Sequence, residues 1–180
     1  LPTPWAAESV TWNDAGTEAT IVIREGLSFH DGMPVRVEDM IFSLESPQRA
    51  GVAPMYKPFV DPIVALEKLD DSTFTVTLAQ PNAAFETSTL SKVNIVPEHI
   101  WAPLLDALVE GETAESVLED SRIGSGPFKF DRWNQSEVVL SAIPDHFAAA
   151  KVERVIMRVV LNVEASLGML RSGELNFLTD

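Results

Sequence analysis

The chain has 180 residues and a mass of 19.7 kDa, enough for one large domain or two small ones. Its 46% content of hydrophobic residues supports a folded core and excludes wholesale disorder. The 13 basic and 27 acidic residues give a formal net charge of -14, which excludes a nonspecific nucleic-acid binder and argues against adhesion to anionic lipids. The chain has no cysteine, so disulfides and thiolate chemistry are excluded, and no apolar run approaches the ~20 residues of a membrane span.

The first half of the chain predicts antiparallel strands with a helix between them. Alternating apolar residues predict a strand over 17–24, with residues 10–12 as its partner. A helical period over 37–46 predicts a helix that ends at Pro47. The remaining predictions here are a loop or short helical turns over 47–62, strands over 63–69 and 73–78, weak helix over 83–90, a strand over 92–96 and a helix starting at Pro97.

The second half predicts a second group of strands. These predictions are an acidic surface helix over 111–120, a junction at 124–127, and strands over 128–133 and 137–142. The apolar run 155–161 is typical of a buried central strand. A helix over 164–171 that stops at Ser172–Gly173, and a last strand over 175–178, would complete a β-α-β unit. Together the patterns predict a mixed α/β fold.

No catalytic constellation emerges from the residue spacings. The histidines, His30, His99 and His146, are isolated, so no metal site is predicted and no cofactor is expected. Glu38 and Asp39 point about 100° apart on a helix, so they are interpreted as complementing the helix dipole and not as an acid/base pair. The chain is therefore not expected to be an enzyme.

Tyr56 is a candidate ligand-binding residue. It is the only tyrosine, and it lies in a proline-rich loop between two predicted elements. An aromatic body with a polar tip suits the wall of a ligand site.

Residues 20–44, TIVIREGLSFHDGMPVRVEDMIFSL, resemble the signature of the family 5 extracellular solute-binding proteins. These are the dipeptide, oligopeptide and nickel receptors of bacterial ABC importers. Four further segments resemble family segments in the same order: 69–78, 95–101, 124–128 and 170–176. The resemblance therefore covers nearly the whole chain.

The resemblance implies a periplasmic binding protein type II-like fold and a fragment of a longer, two-lobed protein. Residues 1–95 would form the small mixed α/β subdomain of lobe I, and residues 96–180 part of its sheet-bearing subdomain. Lobe II would be absent from this segment. The His-Asp-Gly turn at 30–32 would be structural, with Gly32 at positive φ and Asp31 accepting backbone hydrogen bonds.

The function implied is binding of a peptide or similar small solute by closure of two lobes, followed by delivery to an ABC transporter permease. The setting implied is periplasmic or extracytoplasmic, without membrane insertion of this segment. The candidate ligand-binding residues carried over are Tyr56, Leu90, Ser91, Thr179 and Asp180.

Two other functions stay open from the sequence. One is a ligand-sensing regulator that reuses this fold, and the other, less favoured, is an acid-base hydrolase with converging carboxylates. The sequence also leaves open whether the ligand is a peptide, a sugar, a metal chelate or an opine-like compound.

Overall fold

The computed structural model describes residues 5–49, 53–109 and 122–178. The chain divides into two compact units, Leu1–Ser125 and Gly126–Asp180. Both contain helices and antiparallel strands, which confirms the predicted mixed α/β class. The boundary between units lies at the Gly-rich junction predicted at 124–127, whereas the subdomain boundary at 95/96 stays a prediction.

The first unit is built on a four-stranded antiparallel sheet of order β1-β2-β4-β3. Its strands are β1 (Ala7–Trp12), β2 (Glu18–Ile23), β3 (Ile63–Lys68) and β4 (Thr73–Leu78). Strands β2 and β4 were predicted from their alternating apolar residues and β3 as a short strand, whereas β1 was predicted only over 10–12, as the partner of β2. In the centre of the sheet Ile21 pairs with Phe74, and both side chains are buried.

One helix covers the apolar face of this sheet. Helix α1 (Val37–Glu45) directs Val37, Met40 and Leu44 into the same core as the inward residues of β2 and β4. Its 3.6-residue period places these side chains on one face. The chain then tightens into a 3-10 turn, Ser46–Gln48, which accommodates Pro47 near its start.

Among its described residues, the first unit contains three other helical elements of different lengths. They are α2 (Lys57–Val60), a wide turn (Glu86–Leu90) and α3 (Glu98–Val109). The strand predicted over 92–96 is wrong: the amides of Lys92 and Val93 donate to the Thr89 carbonyl, and the Val96 amide donates to Ser43 Oγ. These bonds occupy the amides that a strand ladder would need. The helix predicted over 111–120 lies outside the described residues.

The second unit contains a three-stranded antiparallel sheet of order β5-β6-β7, followed by a helix. Strands β5 (Phe128–Trp133) and β6 (Glu137–Ala142) match their predicted ranges, and β7 is Arg154–Arg158. The prediction of a buried central strand over 155–161 is wrong. Among the described residues β7 pairs only with β6, and Leu161 is 96% exposed.

Helix α4 (Val163–Ser172) has strong end signals but no buried side chain. The Asn162 side chain accepts hydrogen bonds from the amides of Glu164 and Ala165, and Gly173 ends the helix at φ 81°. The strand predicted over 175–178 is wrong, because the Leu175 amide donates back to Met169 and the segment joins no ladder among the described residues. The predicted β-α-β unit is therefore not formed there.

Candidate functional site

Tyr56 lies immediately before α2, at the end of an irregular loop. Its side chain is half-buried, while the preceding Met55 is 72% exposed. The Tyr56 amide donates to the carbonyl of Ala53, which adopts φ 37°, a conformation that non-glycine residues rarely adopt. At the other end of the side chain, Asn94 Nδ2 donates to Tyr56 Oη at 3.3 Å. The phenol is thus held at its tip while one part of the ring stays accessible.

Leu90 and Ser91 lie at the end of the wide turn. The turn is widened by one residue, because the Ser91 amide donates to the carbonyl of Glu86, five residues earlier, at 3.0 Å. Leu90 packs partly against the core of the first unit, and Ser91 is exposed.

Trp12 fixes the beginning of the wide turn. Its Nε1 donates to Glu86 Oε1 at 2.9 Å, and its ring meets the edge of Phe85, with 5.9 Å between ring centroids. Phe85 is fully buried. Strand β1 therefore anchors the turn that carries Leu90 and Ser91.

The structure brings three of the five candidate residues into one region. Thr89 Oγ1, in the wide turn, donates to the Phe59 carbonyl of α2 at 2.7 Å, so the segments of Tyr56 and of Leu90–Ser91 are neighbours. The sequence did not single out Thr89 or Asn94, because neither residue belongs to a recognisable motif. The remaining candidates, Thr179 and Asp180, lie outside the described residues.

The His-Asp-Gly turn has the structural role that was expected. Gly32 adopts φ 88°, and Asp31 Oδ1 accepts the Met33 amide at 3.0 Å. Asp31 Oδ2 also lies 2.8 Å from His99 Nε2 at the start of α3. Partial burial opposes ionisation of Asp31, but the Met33 amide and the His99 imidazole outweigh it and lower the pKa of the Asp31 carboxyl.

His30, in the same turn, contacts the junction before the second unit. The His30 amide donates to the Gly124 carbonyl at 2.8 Å, and the Gly124 amide donates to His30 Nδ1 at 3.3 Å. This pairing requires a lone pair on Nδ1. The turn at 30–32 therefore connects the start of α3 with residue 124.

The neighbouring carboxylates Glu38 and Asp39 have separate structural roles. Glu38 Oε1 pairs with Lys68 Nζ on the surface, whereas Asp39 is buried and accepts the backbone amides of Arg36 and Glu98, each at 2.8 Å. They share no hydrogen bond with each other. Asp39 therefore stabilises the start of α1, as interpreted from the sequence, whereas Glu38 forms a surface ion pair.

The described residues contain no metal-binding cluster: no group of three or more His, Cys, Asp or Glu side chains there is arranged to hold a metal ion. No helix in that part of the chain has the length and apolar character needed to cross a bilayer.

The fold is that of periplasmic substrate-binding proteins. The chain resembles the oligopeptide-binding protein AppA from Bacillus subtilis in complex with a nonapeptide, with a TM-score of 0.81 and 26% identity over 94% of this chain and 34% of that one. It also resembles DppA, an ABC transporter-associated periplasmic binding protein from Helicobacter pylori in complex with the peptide STSA. That TM-score is 0.79, at 25% identity over 95% of this chain and 36% of that one.

Residues 2–180 match the family model described as bacterial extracellular solute-binding proteins, family 5 Middle. The chain belongs to this family, as its sequence motifs predicted. In sequence it is 29% identical to the Bacillus subtilis AppA over 175 residues, which are 95% of this chain and 31% of that protein. The chain thus spans about a third of the length of this relative. The family and these relatives are binding proteins, and they give no support to the regulator or hydrolase alternatives.

Proposed function

We propose that this chain is part of the ligand-binding protein of an ABC importer that takes up peptides or similar small solutes. The observation that carries the proposal is the match over nearly the whole chain to one family of solute-binding proteins, together with the similarity to two peptide-loaded structures. The protein would work outside the cytoplasm, periplasmic or otherwise extracytoplasmic, and would deliver its ligand to the permease subunits.

The mechanism proposed is binding without catalysis. Residues 1–95 and 96–180 would contribute two parts of lobe I, and a second lobe would close over the ligand. Closure involves no chemical reaction. The ligand shifts the protein toward the closed state only because it binds that state more tightly than the open one. The surface offered by this chain would include Tyr56, Leu90 and Ser91, with Thr179 and Asp180 as further candidates.

A peptide is the ligand class that the relatives favour. Peptide backbones present amides and carbonyls at regular intervals, and an aromatic wall accepts many side chains by apolar contact. Ser91 is exposed and its hydroxyl, which donates to the Thr87 carbonyl, can still accept a hydrogen bond, while the half-buried Tyr56 would supply the aromatic contact.

Calorimetry tests this proposal on the full-length protein and on residues 1–180. The probes are the tetrapeptide STSA and a pool of nonapeptides. We expect at least one probe to bind the full-length protein with micromolar or tighter affinity, and residues 1–180 to bind at least tenfold more weakly because half of the cleft is missing. Equal affinity for both would refute the two-lobe mechanism, and no binding of any peptide to the full-length protein would refute the ligand class.

Two variants of the full-length protein test the site. Tyr56→Ala should weaken peptide binding about tenfold or more, as expected for a central aromatic contact. Leu69→Ala, which shortens an exposed side chain beyond β3, is the matched control and should leave the affinity unchanged. Equal peptide affinities of the two variants would show that Tyr56 does not contribute to the binding site.

A further inference from the structure

The two segments of the candidate ligand surface are joined by one buried hydroxyl. Thr89 is 1% exposed, and its Oγ1 donates to the Phe59 carbonyl at 2.7 Å. Phe59 belongs to the short helix that follows Tyr56, and Thr89 immediately precedes Leu90 and Ser91. The hydrogen bond therefore spans the two segments that carry the candidate residues.

The Phe59 carbonyl needs a donor from outside its own helix. Helix α2 is a single turn, so its last carbonyls have no partners within the helix. The Lys57 carbonyl is satisfied by the Asp61 amide, and that of Val60 accepts Gln48 Nε2 at 3.2 Å. Thr89 supplies the donor for Phe59 from the wide turn. A partly buried carbonyl is unfavourable without a donor, so this contact favours one relative placement of the two segments.

Thr89 also closes the backbone on the other side of the candidate residues. Its carbonyl accepts the amides of Lys92 and Val93, each at 3.0 Å, and so folds the chain back directly after Ser91. In the next residue after Val93, Asn94 Nδ2 donates to Tyr56 Oη at 3.3 Å. Thr89 thus fixes the point where the chain turns back after Ser91, and Asn94, further along the chain, forms a hydrogen bond with the phenol of Tyr56.

We propose that Thr89 is a positioning residue for the ligand surface: its hydroxyl sets the placement of Tyr56 relative to Leu90 and Ser91. The solvent-exposed hydrogen bond from Asn94 to Tyr56 is a second contact that holds Tyr56 in the same place. This inference rests on the proposed function for its biological meaning, but its structural part does not require a ligand.

The first test observes Tyr56 without any ligand. Because Tyr56 is the only tyrosine of residues 1–180, tyrosine labelled with ¹³C gives one set of ring resonances in NMR spectra. Thr89→Val keeps the shape of the side chain and removes the hydroxyl, and we expect it to shift the Tyr56 ring resonances. Thr89→Ser keeps the hydroxyl and should give resonances close to those of the unchanged chain.

The matched control is Thr87→Val in the same turn. Thr87 is exposed, and its Oγ1 donates to the Ala84 carbonyl within the local chain segment at 3.0 Å. We expect no shift at Tyr56 from this change. Asn94→Ala keeps the test decisive if Thr89→Val does not fold, because it removes an exposed contact and should shift the same resonances. Unchanged Tyr56 resonances in Thr89→Val, or in Asn94→Ala where Thr89→Val does not fold, would overturn the proposal.

The second test measures peptide affinity in the full-length protein, with the tightest peptide found among the probes above. We expect Thr89→Val to raise the Kd about three- to tenfold, the usual range for one lost hydrogen bond, and Thr89→Ser to restore the affinity. A shifted Tyr56 resonance with unchanged peptide affinity would overturn the role of Thr89 in binding. Loss of binding in Tyr56→Ala would then show that the proposed function itself still stands.

Discussion

At the scale of single residues, Lys68 shows how one ammonium group organises two carboxylates from separate elements. Its Nζ lies 2.6 Å from Glu38 Oε1 in α1 and 2.8 Å from Asp71 Oδ1 in the turn after β3. Hydrogen bonding to Lys68 lowers the pKa of both carboxyls. A carboxyl whose pKa is lower in the folded protein stabilises it above the unfolded pKa, and this contribution is lost as the pH falls through the folded value.

We therefore expect Lys68→Met to raise the pKa of Glu38 and Asp71 toward their ordinary values. An NMR titration of the side-chain carboxyl carbons between pH 2 and pH 7 measures both. Stability should correspondingly become less sensitive to acid below about pH 4.5. Lys57→Met removes another surface ammonium, paired with Asp61, and should leave Glu38 and Asp71 unchanged. The same pKa values in Lys68→Met and in the unchanged chain would contradict this assignment.

At the scale of secondary-structure elements, Asp39 joins the beginnings of two helices. Oδ2 accepts the Arg36 amide before α1, and Oδ1 accepts the Glu98 amide at the start of α3. Both helix starts carry amides without partners in their own helix and a partial positive charge, so one carboxylate stabilises both. Ser43 strengthens the same connection through Val96.

We expect Asp39→Ala to destabilise the first unit by about 2–3 kcal/mol, because it removes a buried cap of two helices. Asp39→Asn keeps an acceptor oxygen and should cost less. The control is Glu38→Ala at the neighbouring exposed position, with an expected change within about 0.5 kcal/mol. Urea unfolding followed by tryptophan fluorescence measures all three, and similar losses for Asp39→Ala and Glu38→Ala would contradict the role of Asp39.

At the scale of the whole molecule, the two units differ in how much apolar surface they bury. The first has a continuous core that extends from β2 through α1 to Phe85. In the second, Val139 is the one fully buried hydrophobic side chain among the described residues, while Ile156, Met157 and Leu167 are each more than 40% exposed. Since apolar burial is the main favourable contribution to folding, the second unit has the weaker basis for stability on its own.

Hydrogen exchange followed by mass spectrometry tests this difference. For residues 1–180 we expect the amides of β2 and β4 to exchange at least tenfold more slowly than those of β6, because local opening is easier where less apolar surface is buried. In the full-length protein we expect β6 to gain protection while β2 and β4 change little. Equal protection of the two sheets in residues 1–180 would contradict the expectation.

The sequence was a good guide wherever one face of an element is buried within the chain. The alternation around Ile21 and Phe74 and the helical period from Val37 to Leu44 each have a partner to pack against. It failed at 92–96 and 175–178, where side-chain and helix-end hydrogen bonds capture the amides. It also failed at 155–161, because an apolar run does not reveal whether the strands that would cover it on both sides belong to these 180 residues. Tyr56 was noticed by its uniqueness, whereas Thr89 required three-dimensional contacts 30 residues apart in sequence.

Among the described residues β7 lies at the margin of its sheet, paired only with β6, and this position has a consequence for the protein at high concentration. A strand with one open side offers unpaired amides and carbonyls to any other chain, and the side chains of Ile156 and Met157 would add apolar contact to such pairing. Arg154 and Arg158 place positive charge at both ends of β7, where two molecules meeting in antiparallel fashion would bring arginines together. Solution work is best done dilute and at low salt, where that repulsion between molecules is least screened.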